Sequence, residues 1–195
     1  MRVSLRYGFT FLCMPKCAST SIENALSKYS ELMTRGRYAT RLKHTRYRKY
    51  KRFIEPFIKD ATKELPETVC VMREPIEWVH SWYRYRKRDE IIGKPESTKE
   101  MSFDEFCNAY MNSELNIGRQ YDFLRNRKGE VGIDRVFRYE RMDLLKEYFE
   151  KKIGQKIDFP SMNISPKEPL ELNPEIRDRL LEYLSEEYRI YNTLD

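Results

Sequence analysis

The segment from Phe9 to Tyr29 constrains the fold more than any other part of the chain. An apolar run, Phe9-Thr10-Phe11-Leu12-Cys13-Met14, gives way to the short stretch Pro15-Lys16-Cys17-Ala18-Ser19-Thr20-Ser21. Ile22, Ala25, Leu26 and Tyr29 then recur at i, i+3, i+4 and i+7, the spacing of the inner face of a helix. A buried strand therefore passes through a tight turn directly into an amphipathic helix. Thr20 and Glu23 stand three residues apart, the capping-box spacing, which predicts that the helix starts there.

The same alternation continues. Val3 to Met14 reads as one strand region. A second amphipathic helix is expected over about 47–61, burying Tyr50, Phe53, Ile54, Phe57 and Ile58. Thr68-Val69-Cys70-Val71-Met72 reads as a buried strand, followed at once by a helix with Pro75 in its first turn and Ile76, Val79 and Tyr83 inward. Residues 92–101 read as a loop, and Ser102 and Glu105 repeat the capping-box spacing ahead of Phe103, Phe106 and Tyr110. A short strand falls within Gly132 to Tyr139. A helix carrying Leu144, Leu145, Tyr148, Phe149 and Ile153 follows. Asp158 to Pro169, with its three prolines, reads as irregular, and one last helix begins near Asn173-Pro174 and packs Ile176, Leu180, Leu181 and Leu184. The pattern predicts a single α/β domain over 1–195: a small parallel sheet flanked by helices on both faces.

Composition narrows the partners. Hydrophobic residues at 40% and aromatics at 13% suffice for a core, which excludes a disordered tail. The apolar runs are far too short to cross a bilayer of roughly 30 Å, and Met1-Arg2-Val3-Ser4 shows no secretory h-region, so a cytoplasmic protein is expected. Cys13, Cys17, Cys70 and Cys107 lack both CxxC pairing and zinc-ligand spacing, so reduced thiols without a metal are expected. A net charge of +6 points to an anionic partner without choosing one.

The first junction is built for an anion. Helix-start N–H groups lack helical partners, Lys16 adds a full charge, and Ser19, Thr20 and Ser21 add hydroxyls. Cys17 and Ala18 are small enough to let a ligand approach the backbone. The loop is not GxxxxGK[ST], which argues against ordinary ATP or GTP hydrolysis. Taken alone, it is equally compatible with Ser19 and Thr20 simply capping a helix.

A second junction alters that balance. Val69-Cys70-Val71-Met72-Arg73-Glu74-Pro75 is again strand, basic residue, helix start, and Ser81 follows Arg73 by eight residues. An arginine fork suits a phosphate because it donates two charge-assisted bonds at once. PKCASTS followed by VMREPIEWVHSWY resembles the paired nucleotide signatures of the sulfotransferase superfamily that uses 3′-phosphoadenosine-5′-phosphosulfate (PAPS). Lys43-His44-Thr45, Gln120 to Leu124, Phe137 to Glu140 and Asn163-Ile164-Ser165 resemble, in that order, segments of its carbohydrate-type branch, which includes the uronyl 2-O-sulfotransferases. The resemblance implies a P-loop-like nucleotide-binding three-layer sandwich and PAPS as donor, with Pro15, Lys16, Cys17, Ala18, Ser19, Thr20 and Ser21 around its 5′-phosphosulfate and Arg73 and Ser81 on its 3′-phosphate. It also implies metal-free transfer to an acceptor hydroxyl on a carbohydrate, itself an anionic one in some cases. Two positions depart from the pattern: Glu74 replaces an asparagine, and Trp78 stands where a second basic residue is common. A carboxylate at 74 must point away from any phosphate.

Lys16 and His44 are the expected catalytic residues. Lys16 would meet the oxygen bridging sulfur and phosphorus, and His44 would take the acceptor proton, a role suited to histidine near neutral pH. The position of His44 as base comes from the resemblance; residue pattern alone makes it an ordinary histidine in a basic segment. The other histidine, His80, lies between inward residues and is expected to pack or face solvent, and Glu140 is a weaker candidate base. Seven of the twelve residues from Arg41 to Arg52 are Lys or Arg, interleaved with Tyr47 and Tyr50. That run suits a nucleic-acid binder, a solvated helix face, or a guide for an anionic glycan. The alternatives to a sulfotransferase are accordingly a basic nucleic-acid-binding protein, which lacks a zinc-finger or helix-turn-helix signature, and a small nucleotide kinase, which lacks a Walker loop.

Overall fold

A computed structural model describes residues 1–34, 40–159 and 171–194. Strand β1 (Arg2–Ser4) turns back on itself through Gly8, whose φ of 66° is left-handed, into β2 (Phe9–Leu12). The expected single strand over Val3 to Met14 is therefore a hairpin, with Val3 opposite Thr10. After α1 (Ser19–Ala25) comes the short β3 (Leu32–Met33), then α2 (Thr40–Lys43) and α3 (Tyr47–Lys49). A π-helical stretch, Tyr50–Ile54, joins α3 to α4 (Glu55–Ala61). β4 (Glu67–Met72) and α5 (Pro75–Arg86) follow, then α6 (Phe103–Met111), α7 (Gln120–Leu124), β5 (Arg135–Arg138) and α8 (Met142–Ile153). The chain ends in α9 (Pro174–Tyr183) and α10 (Ser185–Tyr191), so the last helix is two, broken at Leu184.

The sheet is mixed, in the order β3-β1-β2-β4-β5. The expected parallel pairing is found for β2, β4 and β5, whereas β1 pairs antiparallel to both β2 and β3. A turn of four residues cannot make a parallel crossover, so the hairpin had to run antiparallel. Every residue of β2 is buried, as is β4 from Thr68 on, so both faces of the sheet centre are covered. On one face Phe149 of α8 meets Phe9 edge-on at 5.0 Å and Phe11 at 6.2 Å. All four cysteines are free and buried. Among the described residues, no helix is long and apolar enough to cross a membrane.

Helix 47–61 forms where expected, but its buried face differs. Tyr50 and Ile58 are buried, while Phe53 and Phe57 are 59% and 63% exposed. The π turn is the cause: wider than an α turn, it rotates the residues beyond it relative to the α-helical stripe read from sequence. The capping box at Ser102 and Glu105 forms with both its bonds. The one expected at Thr20 and Glu23 does not. Residues 160–170, including three prolines and Asn163-Ile164-Ser165, lie outside the described residues.

Candidate functional site

Parallel β2 and β4 lie side by side with Leu12 opposite Cys70, so both strand-to-helix junctions leave the same end of the sheet. That end, beyond the carboxyl termini of adjacent parallel strands, is where α/β sheets place ligands. Pro15 to Ser21 and Arg73 to Ser81 are brought together there.

The first junction has unusual backbone. Lys16 and Ala18 both hold positive φ, 64° and 51°, at a cost of about 1–2 kcal/mol each for residues with a Cβ. Left-handed residues in a turn can direct neighbouring N–H groups to one side, as anion-binding nests do. Ala18 is the N-cap of α1 and Ser19 its first residue, with no side-chain cap. Neither the Ser19 nor the Thr20 hydroxyl is therefore spent on capping; Thr20 accepts a hydrogen bond from Lys43 (2.8 Å), and Glu23 pairs with Lys43 (3.3 Å) and the Met1 amino group (3.1 Å). Glu23 is drawn to two cations, which explains the missing capping box. With α1 only seven residues long, side-chain charge rather than helix dipole must supply most of the positive potential.

That charge is concentrated. Burial, with the guanidinium groups of Arg88, Arg73 and Arg84 acting the same way, lowers the Lys16 ammonium to about 8. The Lys16 Nζ lies 4.2 Å from the centre of the Tyr85 ring, with Trp82 at 5.9 Å. Arg73 stacks on Tyr139 at 4.6 Å and bonds Glu77 at 3.1 Å, while its Nε is buried without a partner. Arg84 reaches the same Glu77 oxygen at 3.9 Å. Two of these cations, Arg73 and Arg84, thus share one carboxylate. Ser81 lies four residues beyond Glu77 and three before Arg84 on α5, on that same side of the helix.

Both departures from the sulfotransferase pattern have a structural role. The Glu74 carboxylate caps α5 by accepting from the Glu77 N–H (2.7 Å) and takes a hydrogen bond from Tyr188 of α10, so it is turned away from Arg73. Trp78 donates its indole N–H to the Pro15 carbonyl (2.9 Å), tying α5 to the loop. The carboxylate that does face Arg73 is Glu77.

His44 is only partly buried and bonds through Nδ1 to the Cys13 carbonyl at 2.7 Å. A carbonyl only accepts, so Nδ1 carries the proton and Nε2 is left with its lone pair. Burial lowers its pKa, and Lys43 adds to the effect against the raising influence of the Cys13 bond. The ring borders a cavity of about 160 Å³ shared with Pro15, Arg46, Trp78, Trp82 and Gln120. Trp82 links this cavity to Lys16. His80, by contrast, is buried against Phe103 (centroids 5.0 Å apart), and desolvation lowers it to about 4. Glu140 is held by Tyr191 (2.7 Å) and by the Glu74 N–H (3.2 Å).

Three contributors were not foreseen from sequence. Arg84 carried a signal, a basic residue one turn after Ser81 on α5, whereas Arg88 lies just beyond the end of that helix. Gln120 opens the stretch 120–124 that resembles the carbohydrate-type branch, but nothing local in the sequence gives it a place between the two junctions. Its side chain accepts from the Arg73 N–H, donates to the Arg73 carbonyl, and touches Cys17 Sγ at 3.9 Å, which joins the two junctions from 47 residues away. Among the described residues, no group of three or more His, Cys, Asp or Glu side chains could hold a metal ion. No family model matches the chain, and no curated protein matches it.

Proposed function

We propose that the protein is a PAPS-dependent sulfotransferase, with a P-loop-like three-layer arrangement around the donor and a carbohydrate hydroxyl as acceptor. The observation that carries the reading is the convergence of Lys16 and Arg73, from two adjacent junctions, on one anion-adapted surface. A donor phosphorylated at both ends requires two such positions. The orphaned, buried Arg73 Nε fits an added oxyanion acceptor there.

The donor supplies an activated sulfuryl group on a phosphate leaving group. The backbone of 16–21, with Ser19, Thr20 and Ser21, would hold the phosphosulfate, and Arg73 with Ser81 would hold the 3′-phosphate. Arg73 would exchange part of its bond to Glu77 for the phosphate. His44 Nε2 takes the proton of the acceptor hydroxyl lying in the 160 Å³ cavity as the acceptor oxygen bonds sulfur. The bond from sulfur to the bridging oxygen breaks as that oxygen receives the electron pair, and Lys16 stabilises its charge by hydrogen bonding. To do so, Lys16 leaves the face of Tyr85. The lowered pKa of Lys16 makes its ammonium a stronger acid, and so a better donor to that oxygen, than an ordinary lysine.

Thermal denaturation with adenosine 3′,5′-bisphosphate tests the donor assignment. The bisphosphate should raise the melting temperature well above the effect of ADP or ATP, and Lys16→Ala with Arg73→Ala should remove the difference. Equal stabilisation by ATP, which lacks the 3′-phosphate, would falsify it.

A further inference from the structure

A second cavity, of about 330 Å³, lies beside the first and is lined by Tyr47, Arg48, Lys51, Arg52, Asn126 and Arg127. The same two stretches of chain, 44–52 and 118–127, wall both cavities: His44, Arg46, Gly118 and Phe123 border the first. Gly118 permits this closeness, because a Cβ there would lie 2.8 Å from the Arg46 guanidinium. A ligand lying between the two stretches would meet both cavities in turn.

The second cavity is cationic in excess. Glu55 balances Lys51, and Glu130 is held by the Asn126 amide at 3.0 Å. Arg48 spends only its Nε, on the Asn126 carbonyl at 2.9 Å. Arg52 and Arg127 have no carboxylate partner among the described residues. The wall is firm: Tyr47 packs so tightly on Gly132 that a Cβ there would come within 2.0 Å of the ring. That burial also removes Tyr47, the one aromatic ring among the described residues lining the cavity, from base stacking, which disfavours single-stranded nucleic acid as the occupant.

We infer that this cavity is an anion subsite for an oxyanion ester, a sulfate or phosphate carried by the acceptor at a fixed separation from its reacting hydroxyl. The inference rests on the transfer reading for its link to His44. Three guanidinium forks converging on one space match a tetrahedral ester, whose several oxygens accept from different forks, better than a planar carboxylate, which one fork satisfies. Arg52 and Arg127 then decide which acceptors are used, by fixing the distance between an existing ester and the new one. The reaction that makes such an acceptor is a prior phosphorylation or sulfation.

The test is calorimetric titration of the full chain saturated with adenosine 3′,5′-bisphosphate, so that the donor site is filled. Glucose 6-phosphate, glucose 6-sulfate, glucuronate and glucose are the probes. The esters should bind in the millimolar range and above glucuronate, and the exposed double variant Arg52→Ser/Arg127→Ser should weaken them about tenfold while leaving bisphosphate affinity unchanged. The order of the two esters distinguishes a phosphate source from a sulfate source. Esters that bind no better than glucose, or equally well to the double variant, overturn the subsite and leave the transfer reading standing. Failure of the bisphosphate to bind, with ester binding still lost in the double variant, upholds the subsite and sinks the transfer reading. A thymidine oligonucleotide that binds more tightly than the esters and is lost in the same variant replaces the subsite with a nucleic-acid surface.

Discussion

Gln120 and Arg73 exchange two hydrogen bonds: the Arg73 N–H donates to Oε1 at 3.0 Å, and Nε2 donates to the Arg73 carbonyl at 2.9 Å. One side chain thus replaces the strand partner that β4 loses at its end, and holds Arg73 at the angle from which it faces the loop. Gln120→Leu should therefore cost about 1–3 kcal/mol of stability, since two backbone groups lose their partners. It should also weaken adenosine 3′,5′-bisphosphate about tenfold by calorimetry. Gln120→Glu, which can still accept from the N–H, should recover part of the affinity. Bisphosphate binding unchanged in both variants would show that Gln120 only supports the fold.

The lowered Lys16 ammonium predicts a pH limit. Lys16 must be charged to hold the donor, so it acts below about 8 and loses the proton above it. Bisphosphate affinity should fall by up to about tenfold between pH 7 and pH 9. Lys16→Arg, charged throughout that range, should flatten the fall even if it binds less well at pH 7.

His44 sets the opposite limb. Its base function needs the neutral ring, and its pKa lies below the ordinary histidine value. Transfer should accordingly be fully developed by neutral pH and decline on acidification. His44→Asn should lower turnover about 100- to 10,000-fold while bisphosphate still binds. Full turnover in that variant would move the base elsewhere.

Acid stability should depend on His80. Its folded pKa of about 4 lies below the unfolded value near 6.5, so the unfolded chain binds the extra proton first as pH falls. The stability it contributes is present above about 6.5 and is lost as pH drops toward 4, by roughly 3 kcal/mol at most. His80→Met should flatten the melting temperature across that window.

The π turn predicts an asymmetry along one helix. Ile58→Ala should cost about 2–5 kcal/mol, whereas Phe57→Ser, at an exposed position, should change stability by no more than about 0.5 kcal/mol. Denaturant midpoints compare the two directly.

Much of the molecule was legible because its signals are local. The strand from Glu67 to Met72, the proline start of α5, and the capping box at Ser102 each depend on residues within one or two turns. So do the two strand-to-helix junctions that bear Lys16 and Arg73. The outward turn of Phe53 and Phe57 was not legible, because the α-helical stripe assumes a pitch that the Tyr50–Ile54 stretch does not keep. Nor was the loss of the Thr20 cap, which follows from Lys43 and the Met1 amino group competing for Glu23.

The sequence by itself determined where each strand hands over to a helix, and which charged and small residues sit at those handovers. Hydrophobic period and turn chemistry act over a few residues and need no distant partner. Only the tertiary structure decided that the two junctions open side by side, that Glu74 turns to Tyr188 while Glu77 faces Arg73, and that Gln120 locks the pair. Those are choices among many partners of similar local chemistry, and strand order and side-chain packing select between them.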